Sequence, residues 1–400
     1  MPEIPKIISV DDHIVEPPTL WTDRLPRKYT DVGPRVVRER LFKDRAIINH
    51  MPEWVDSDVE RTIDSWLYED LKQPLIRLSA ASGYPKDDLG PQPITYDDIR
   101  PGCWQQQARL DDMDINHVEA AMCFPMFPRF CGQTFLEAND RDLALLCVQA
   151  YNDWMIEEWC AGTGSRLIPL PLIPLWDPHL AAAEVRRNAD RGAHAVSFTE
   201  LPTNLGLPSI HDADGHWEPF FAACEETATV VCMHIGSGSR MPSTSADAPP
   251  AVMSTLTFNN AMGSLADWLF SGAFIRYPDI KIAYSEGQIG WIPYILERAD
   301  VVWEQNRGWN EVWGVIPERP STYFADHVYG CFFDDRFGLA NIEAIGADNV
   351  TFETDYPHND SSWPHTKELA EKLCEELSDE VIYKIMRGNA IKMLHLPFDH

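Results

Sequence analysis

The chain contains no uninterrupted apolar run of the roughly 18 residues that a membrane span requires. Its opening Met1-Pro2-Glu3-Ile4-Pro5 has neither the basic region nor the apolar core of a secretory leader. A soluble cytoplasmic protein with no membrane partner is the expectation. Basic residues are scarce: 33 Lys and Arg stand against 62 Asp and Glu, a formal charge of -29 and a pI near 4.7. A surface of that sign repels nucleic acid and anionic lipid, although a bound cation and local arginines can reverse the potential within one cleft. The nine cysteines form no CxxC pair and are odd in number, so reduced thiols are simpler than a disulfide framework. Walker-type loops, heptads and internal repeats are absent. Gly287-Gln288-Ile289-Gly290 lacks the dinucleotide-binding spacing, so a nucleotide cofactor has no support.

What the chain does have is length and regular alternation. Its 400 residues can bury a large core without staples. Eight short β-prone runs, at 7–11, 118–124, 166–171, 194–198, 229–234, 280–285, 327–332 and 349–354, are separated by helical patterns over 133–160, 177–190, 215–226, 256–270, 291–309, 335–346 and 378–394. This alternation predicts an α/β fold, a distorted TIM (β/α)8 barrel in a single domain spanning 1–400. Asp177-Pro178 reads as an N-cap followed by a first-turn proline. The segment 17–103 is too long for a βα loop and bears Trp21, Trp54 and Trp66. It is read as an inserted lid or oligomer contact after the first strand, in a homodimer or larger homo-oligomer. A second insertion, 236–254, follows His234 directly and reads as a flap at the active-site face.

Chemistry gathers at strand ends. Side chains two apart in a strand face the same way, so Asp11 and His13 can converge on one cation while Asp12 points elsewhere. His234 and Asp355 end two further apolar runs. Delivered to the C-terminal mouth of one barrel, these four offer carboxylate and imidazole donors for one divalent ion, with Zn the first expectation and Mn or another transition metal the alternatives. Taken singly, each residue is more ordinarily a hydrogen-bonded histidine or a capping aspartate. Their joint placement is what points to metal.

Several motifs carry a resemblance. They are Val10-Asp11-Asp12-His13-Ile14-Val15-Glu16-Pro17, the Met233-His234 strand end, Ser285-Glu286-Gly287-Gln288-Ile289-Gly290-Trp291 running on to Arg298, Thr354-Asp355-Tyr356-Pro357-His358, and Gly388-Asn389-Ala390. On these the chain resembles the amidohydrolase-related metal enzymes, in the branch of aminocarboxymuconate-semialdehyde decarboxylase and the aromatic-acid decarboxylases. The resemblance implies one divalent metal held by Asp11, His13, His234 and Asp355, and enzymes that often form dimers. The family more often has His or Glu where Asp11 stands. Its decarboxylases place a histidine after the sixth strand, where this chain has Glu286.

Asp355, Glu286 and His234 are the candidate catalytic residues, Glu286 as a proton acceptor from water or as a structural carboxylate paired with Arg298. Arg129, Trp291 and His358 are the candidate substrate contacts, Arg129 because a guanidinium suits a carboxylate. Trp291 and Trp21 are alternatively core tryptophans, and His358 alternatively a surface or capping residue. His194 lies at the wrong end of its strand for catalysis. The expectation is a hydrolase acting on a small organic, aromatic or carboxylated substrate through metal-activated water, favoured narrowly because the histidine is missing. The alternatives are a nonoxidative decarboxylase of an aromatic or unsaturated acid and a noncatalytic ligand-binding or scaffolding barrel.

Overall fold

Strand β1, Ile7–Ile14, is buried at all eight positions, its three acid and imidazole side chains included. Such a strand needs partners on both edges and cover on both faces, the condition of a parallel barrel. The computed structural model describes residues 2–48, 51–310 and 312–399, with the side chains of all but 46–48, 51, 52, 307 and 310. After β1 come the insertion strands β2 (Arg35–Ile48), β3 (Met51–Tyr68) and β4 (Leu71–Pro74). The barrel then resumes with β5 (Val118–Pro125), β6 (Leu167–Ile168), β7 (Ala195–Phe198), β8 (Val230–His234), β9 (Ile282–Ser285), β10 (Val328–Phe332) and β11 (Val350–Phe352). Each of the eight β-prone runs overlaps one of the eight strands of the parallel sheet, ordered β6-β5-β1-β11-β10-β9-β8-β7, with β1 running on to Ile14, three residues past its run.

The distortion has a cause in the sequence. The run 166–171 predicts a full strand, but only Leu167–Ile168 pairs. Pro169, Pro171 and Pro174 follow at near-alternate positions, and proline has no N–H for a ladder. Between β6 and β7 the barrel wall is joined by Ser197 N–H donating to the Pro171 carbonyl at 3.0 Å rather than by a paired strand.

Helices fill the intervals with corrected bounds. The pattern at 133–160 divides into Gln133–Leu136 and Arg141–Trp154, because the Asp140 carboxylate caps the second through the N–H groups of Asp142 and Leu143. Asp177 caps Pro178–Ala189 in the same way. Helices Gln106–Ile115 and Thr366–Leu373 complete the barrel exterior and were not anticipated from pattern. Among the described residues, no helix is long and apolar enough to cross a membrane. All nine cysteines are unpaired.

The insertion forms an antiparallel sheet, β2-β3-β4, whose buried residues join the barrel's core. Trp21 and Trp66 meet edge to face at 5.2 Å, and Trp66 stacks on Phe127 at 4.7 Å. Trp21 is therefore core, its indole N–H bound to the Cys147 carbonyl, and not a pocket wall. Further along, the N–H groups of Ala81 and Ser82 both donate to Pro357 O, at 2.7 and 3.1 Å. The insertion thus grips the turn that follows the last strand.

Candidate metal centre

Two backbone bonds set the geometry of the barrel mouth. Asp355 N–H donates to Asp11 O at 3.0 Å and His13 N–H donates to Tyr356 O at 2.6 Å, locking the end of β1 to the turn after β11. The turn places Asp355 at φ 51°, and Glu286, just past β9, sits at φ 58°. Left-handed conformations of non-glycine residues are sparsely populated and concentrate where function fixes a side chain's direction.

The side chains so delivered converge. His13 Nε2 lies 3.3 Å from Asp355 Oδ1 and 3.6 Å from Asp11 Oδ1. His234 Nε2 lies 3.3 Å from Asp11 Oδ2, 3.3 Å from His13 Nε2 and 3.4 Å from Glu286 Oε2. One donor atom from each of Asp11, His13 and His234 lies within 4.8 Å of the others, and the same holds for His13, Asp355 and His358.

Whether a cation fits is decided by what these groups lack. Both oxygens of Asp11, both of Asp355 and His13 Nδ1 are buried with no hydrogen-bond partner. Unsatisfied buried carboxylates are costly, and a divalent ion among them removes the cost. The imidazoles suit it too: burial lowers the His234 pKa to about 3, so the ring is neutral. Its Nδ1 meets the Ile235 carbonyl at 2.6 Å, a contact that calls for the proton there and leaves Nε2 free to ligate. A divalent-metal site is present at the barrel mouth.

The carboxyl groups respond to crowding in opposite directions. Burial first, then the charges of Glu353, Glu286 and Asp355, push Asp11 well above its ordinary value. Burial, then Asp355, does the same to Glu286. Asp355 also feels burial, but the His358 and His13 imidazoles beside it outweigh that and hold it below the usual range. Asp12 is turned away, accepting from Ser9 Oγ at 2.8 Å and Thr354 Oγ1 at 2.6 Å.

The other anticipated residues divide. His358 is brought in: its ring stacks on His13 at 3.6 Å and its Nδ1 is 3.0 Å from Asp355 Oδ1. Arg129 forms an ion pair with Glu137. Trp291 packs partly buried against the core with its indole N–H on Gly287 O. His194 faces His395 at the opposite end of the barrel. Asn389 donates to the Ala347 and Val350 carbonyls at 2.7 and 2.6 Å, tying the last helix to β11.

Four further side chains surround these groups. Glu353 is fully buried, accepts from Glu286 N–H at 2.9 Å and is raised by burial to about 7. It lies two residues before Asp355, so the alternation that pairs Asp11 with His13 would have marked it. Phe130 lies flat on His234, 4.0 Å away at 8°, and Phe124 meets the same ring at 5.0 Å. Glu200, beyond β7, accepts from Gly236 N–H at 3.1 Å while its Oε1 is buried without a partner. No local pattern flags these last three.

Known proteins place this site in context. The chain is 25% identical over 318 residues to the gamma-resorcylate decarboxylase of Rhizobium sp. (strain MTP-10005), covering 73% of this chain and 87% of that one. An amidohydrolase structure from Mycobacterium avium subsp. paratuberculosis K-10 superimposes with a TM-score of 0.72 at 22% identity, over 97% of this chain and 99% of that one. A dihydroxybenzoic acid decarboxylase from Polaromonas sp. JS666, with bound manganese and the inhibitor 2-nitroresorcinol, gives 0.61 at 21% identity, over 81% and 94%. Residues 50–396 match the family model described as Amidohydrolase, and the chain belongs to the amidohydrolase family.

Proposed function

We propose that the protein is a metal-dependent, nonoxidative decarboxylase of a small aromatic acid, with Asp11, His13, His234 and Asp355 holding one divalent ion, Zn or Mn. Relatives named as resorcylate and dihydroxybenzoic acid decarboxylases support this branch of the family. The observation that carries this reading is Phe130 laid flat on His234, an aromatic surface directly beside the cation's donors. The decarboxylase relatives support it. When bound, the cation supplies positive charge that draws a substrate carboxylate and an adjacent oxygen.

The chain's own residues do the rest. Phe130 and Phe124 align an arene against the histidines. Glu286, the one carboxylate of the cluster with part of its side chain exposed, 14% against 0% for Asp11 and Asp355, faces the open side. It holds the proton that the ring carbon takes up as the bond to the departing carbon dioxide breaks and leaves its electron pair on the ring. His358 steadies Asp355 from behind. Hydrolysis drew its support from the histidine missing after the sixth strand. A carboxyl 3.4 Å from His234 occupies that place and can handle the proton, which removes the objection to decarboxylation.

Manganese-loaded protein incubated with hydroxybenzoic acids, their esters and their amides, in deuterated and in oxygen-18 water, tests the choice. Carbon dioxide release with one deuterium on the vacated ring carbon is expected. Water-derived oxygen in a product, without carbon dioxide, would reverse the assignment to hydrolysis.

A further inference from the structure

A second cavity, of about 170 Å³, lies between the insertion and the barrel. Trp66, Leu75 and Ile76 wall it from the insertion and Val15 and Phe127 from the barrel. An apolar cavity of about 150 Å³ accommodates benzene, so this space admits one substituted ring. Trp66 and Phe127, stacked on each other at 27°, give it aromatic surface.

Its polar lining comprises Glu16, Arg45, Gln73 and Ser79. Glu16 reaches it, but both Glu16 oxygens are taken, by the N–H groups of Met126 and Phe127 at 2.9 Å each. Arg45, from the distal part of β2, is the cation in the lining. The β2–β3 register shifts between Leu41 and Lys43, where the ladder passes from Leu41–Arg61 to Lys43–Asp56. Such an irregularity bends a ribbon and re-aims its side chains, and Arg45 lies just beyond it. The guanidinium packs 5.3 Å from the Trp54 ring, its Nε is buried with no hydrogen-bond partner, and the adjacent Asp44 is engaged by Arg61. Arg45 forms no ion pair among the described residues. A guanidinium whose buried Nε lacks a partner, in the lining of a largely apolar, ring-sized space, matches a carboxylate on an arene.

The cavity also adjoins the metal centre. Met126 lines it, and Met126 Sδ is 3.2 Å from His358 Nε2, on the ring that stacks against His13. A flexible thioether is thus the shared wall between the two spaces.

We infer that this cavity is a binding compartment for an aromatic carboxylate, with the ring against the Trp66, Leu75 and Phe127 side chains and the carboxylate on Arg45, separated from the metal centre by Met126. The compartment is a site in its own right, and binding there is read without turnover, so its outcome does not depend on which reaction the metal centre performs.

Calorimetric titration of the full chain, with manganese and after chelation, using benzoate, benzamide and acetate as probes, tests it. Benzoate is expected to bind the chelated protein at one site per chain, at least about tenfold more tightly than benzamide, which lacks the charge, or acetate, which lacks the ring. Arg45→Gln should reduce benzoate to the level of benzamide. Arg45→Lys, keeping the charge but not the fork, should give an intermediate affinity. Absence of metal-independent benzoate binding, or benzoate binding unchanged in Arg45→Gln, would overturn the proposal.

Discussion

The imidazole of His358 lies face to face with that of His13, centroids 3.6 Å apart, and turns its Nδ1 to within 3.0 Å of Asp355 Oδ1. One side chain therefore supports two others of the metal centre. His358→Phe keeps a ring on His13 and removes the nitrogen beside Asp355. The expected outcome is metal content held at one ion per chain, with turnover lower by about ten- to a hundredfold, the scale of losing a partner that orients a metal-site carboxylate. Elemental analysis alongside steady-state kinetics checks it, and loss of the ion on this substitution would assign His358 to the ligand set.

Metal should also be a stabiliser of the fold. The carboxylates of Asp11 and Asp355 are buried without hydrogen-bond partners, and like charges so confined repel. A ligand present at a hundred times its dissociation constant adds about 2.7 kcal/mol to stability, so manganese should raise the melting temperature and chelation lower it. Asp11→Asn should behave oppositely in the two states: weaker metal binding, but a metal-free form more stable than metal-free wild type, since its acid no longer ionises against its neighbours. Thermal melts of both proteins, with and without manganese, decide it. A less stable metal-free variant would contradict the account.

Glu200 predicts a pH dependence outside the metal cluster. Burial raises its carboxyl from 4.5 in the reference state to about 8 in the fold, against hydrogen bonding that lowers it. An acid whose folded pKa is raised contributes stability that is complete below the unfolded value and is lost as pH rises through the folded value. The stabilising contribution is thus whole below pH 4.5 and gone above pH 8. Glu200→Gln keeps an oxygen for Gly236 N–H and cannot ionise. It should flatten the fall in stability between pH 5 and 8, and be the more stable protein above pH 8. Urea unfolding across that range measures both, and parallel curves for the two proteins would show that Glu200 does not titrate there.

Much of this was legible because barrel strands are short, buried and apolar, so every barrel strand announced itself, though the three strands of the insertion did not, and because alternation alone set Asp11 and His13 on one side. The run 166–171 predicts a longer third barrel strand than the two residues that pair, because each proline after Ile168 removes a ladder donor. His358 stood undecided because a turn residue's direction depends on the partners gripping the turn, here Ala81 and Ser82 from a segment far away in sequence. Arg129 looked apt for a substrate, and a nearby glutamate claims it. Phe130 on His234 joins the loop after β5 to the end of β8, and no local pattern encodes such a contact.

That last contact rests on a glycine. Gly236 adopts φ 81°, and a Cβ there would come 3.1 Å from Phe130 Cε2 and 3.3 Å from Met241 Sδ. Gly236→Ala would therefore carry two burdens, the left-handed backbone at about 1 kcal/mol and displacement of Phe130 from His234. The expected result is a stability loss of about 1–2 kcal/mol, with KM raised more than kcat is lowered, because an aromatic wall binds the ground state and the transition state alike. Phe130→Leu should reproduce the kinetic effect without the backbone cost. If Gly236→Ala lost stability with KM unchanged, while Phe130→Leu raised KM, the glycine would be needed only for the turn. If neither variant changed KM, Phe130 would not touch the substrate, and the aromatic wall would lose its part in the proposed function.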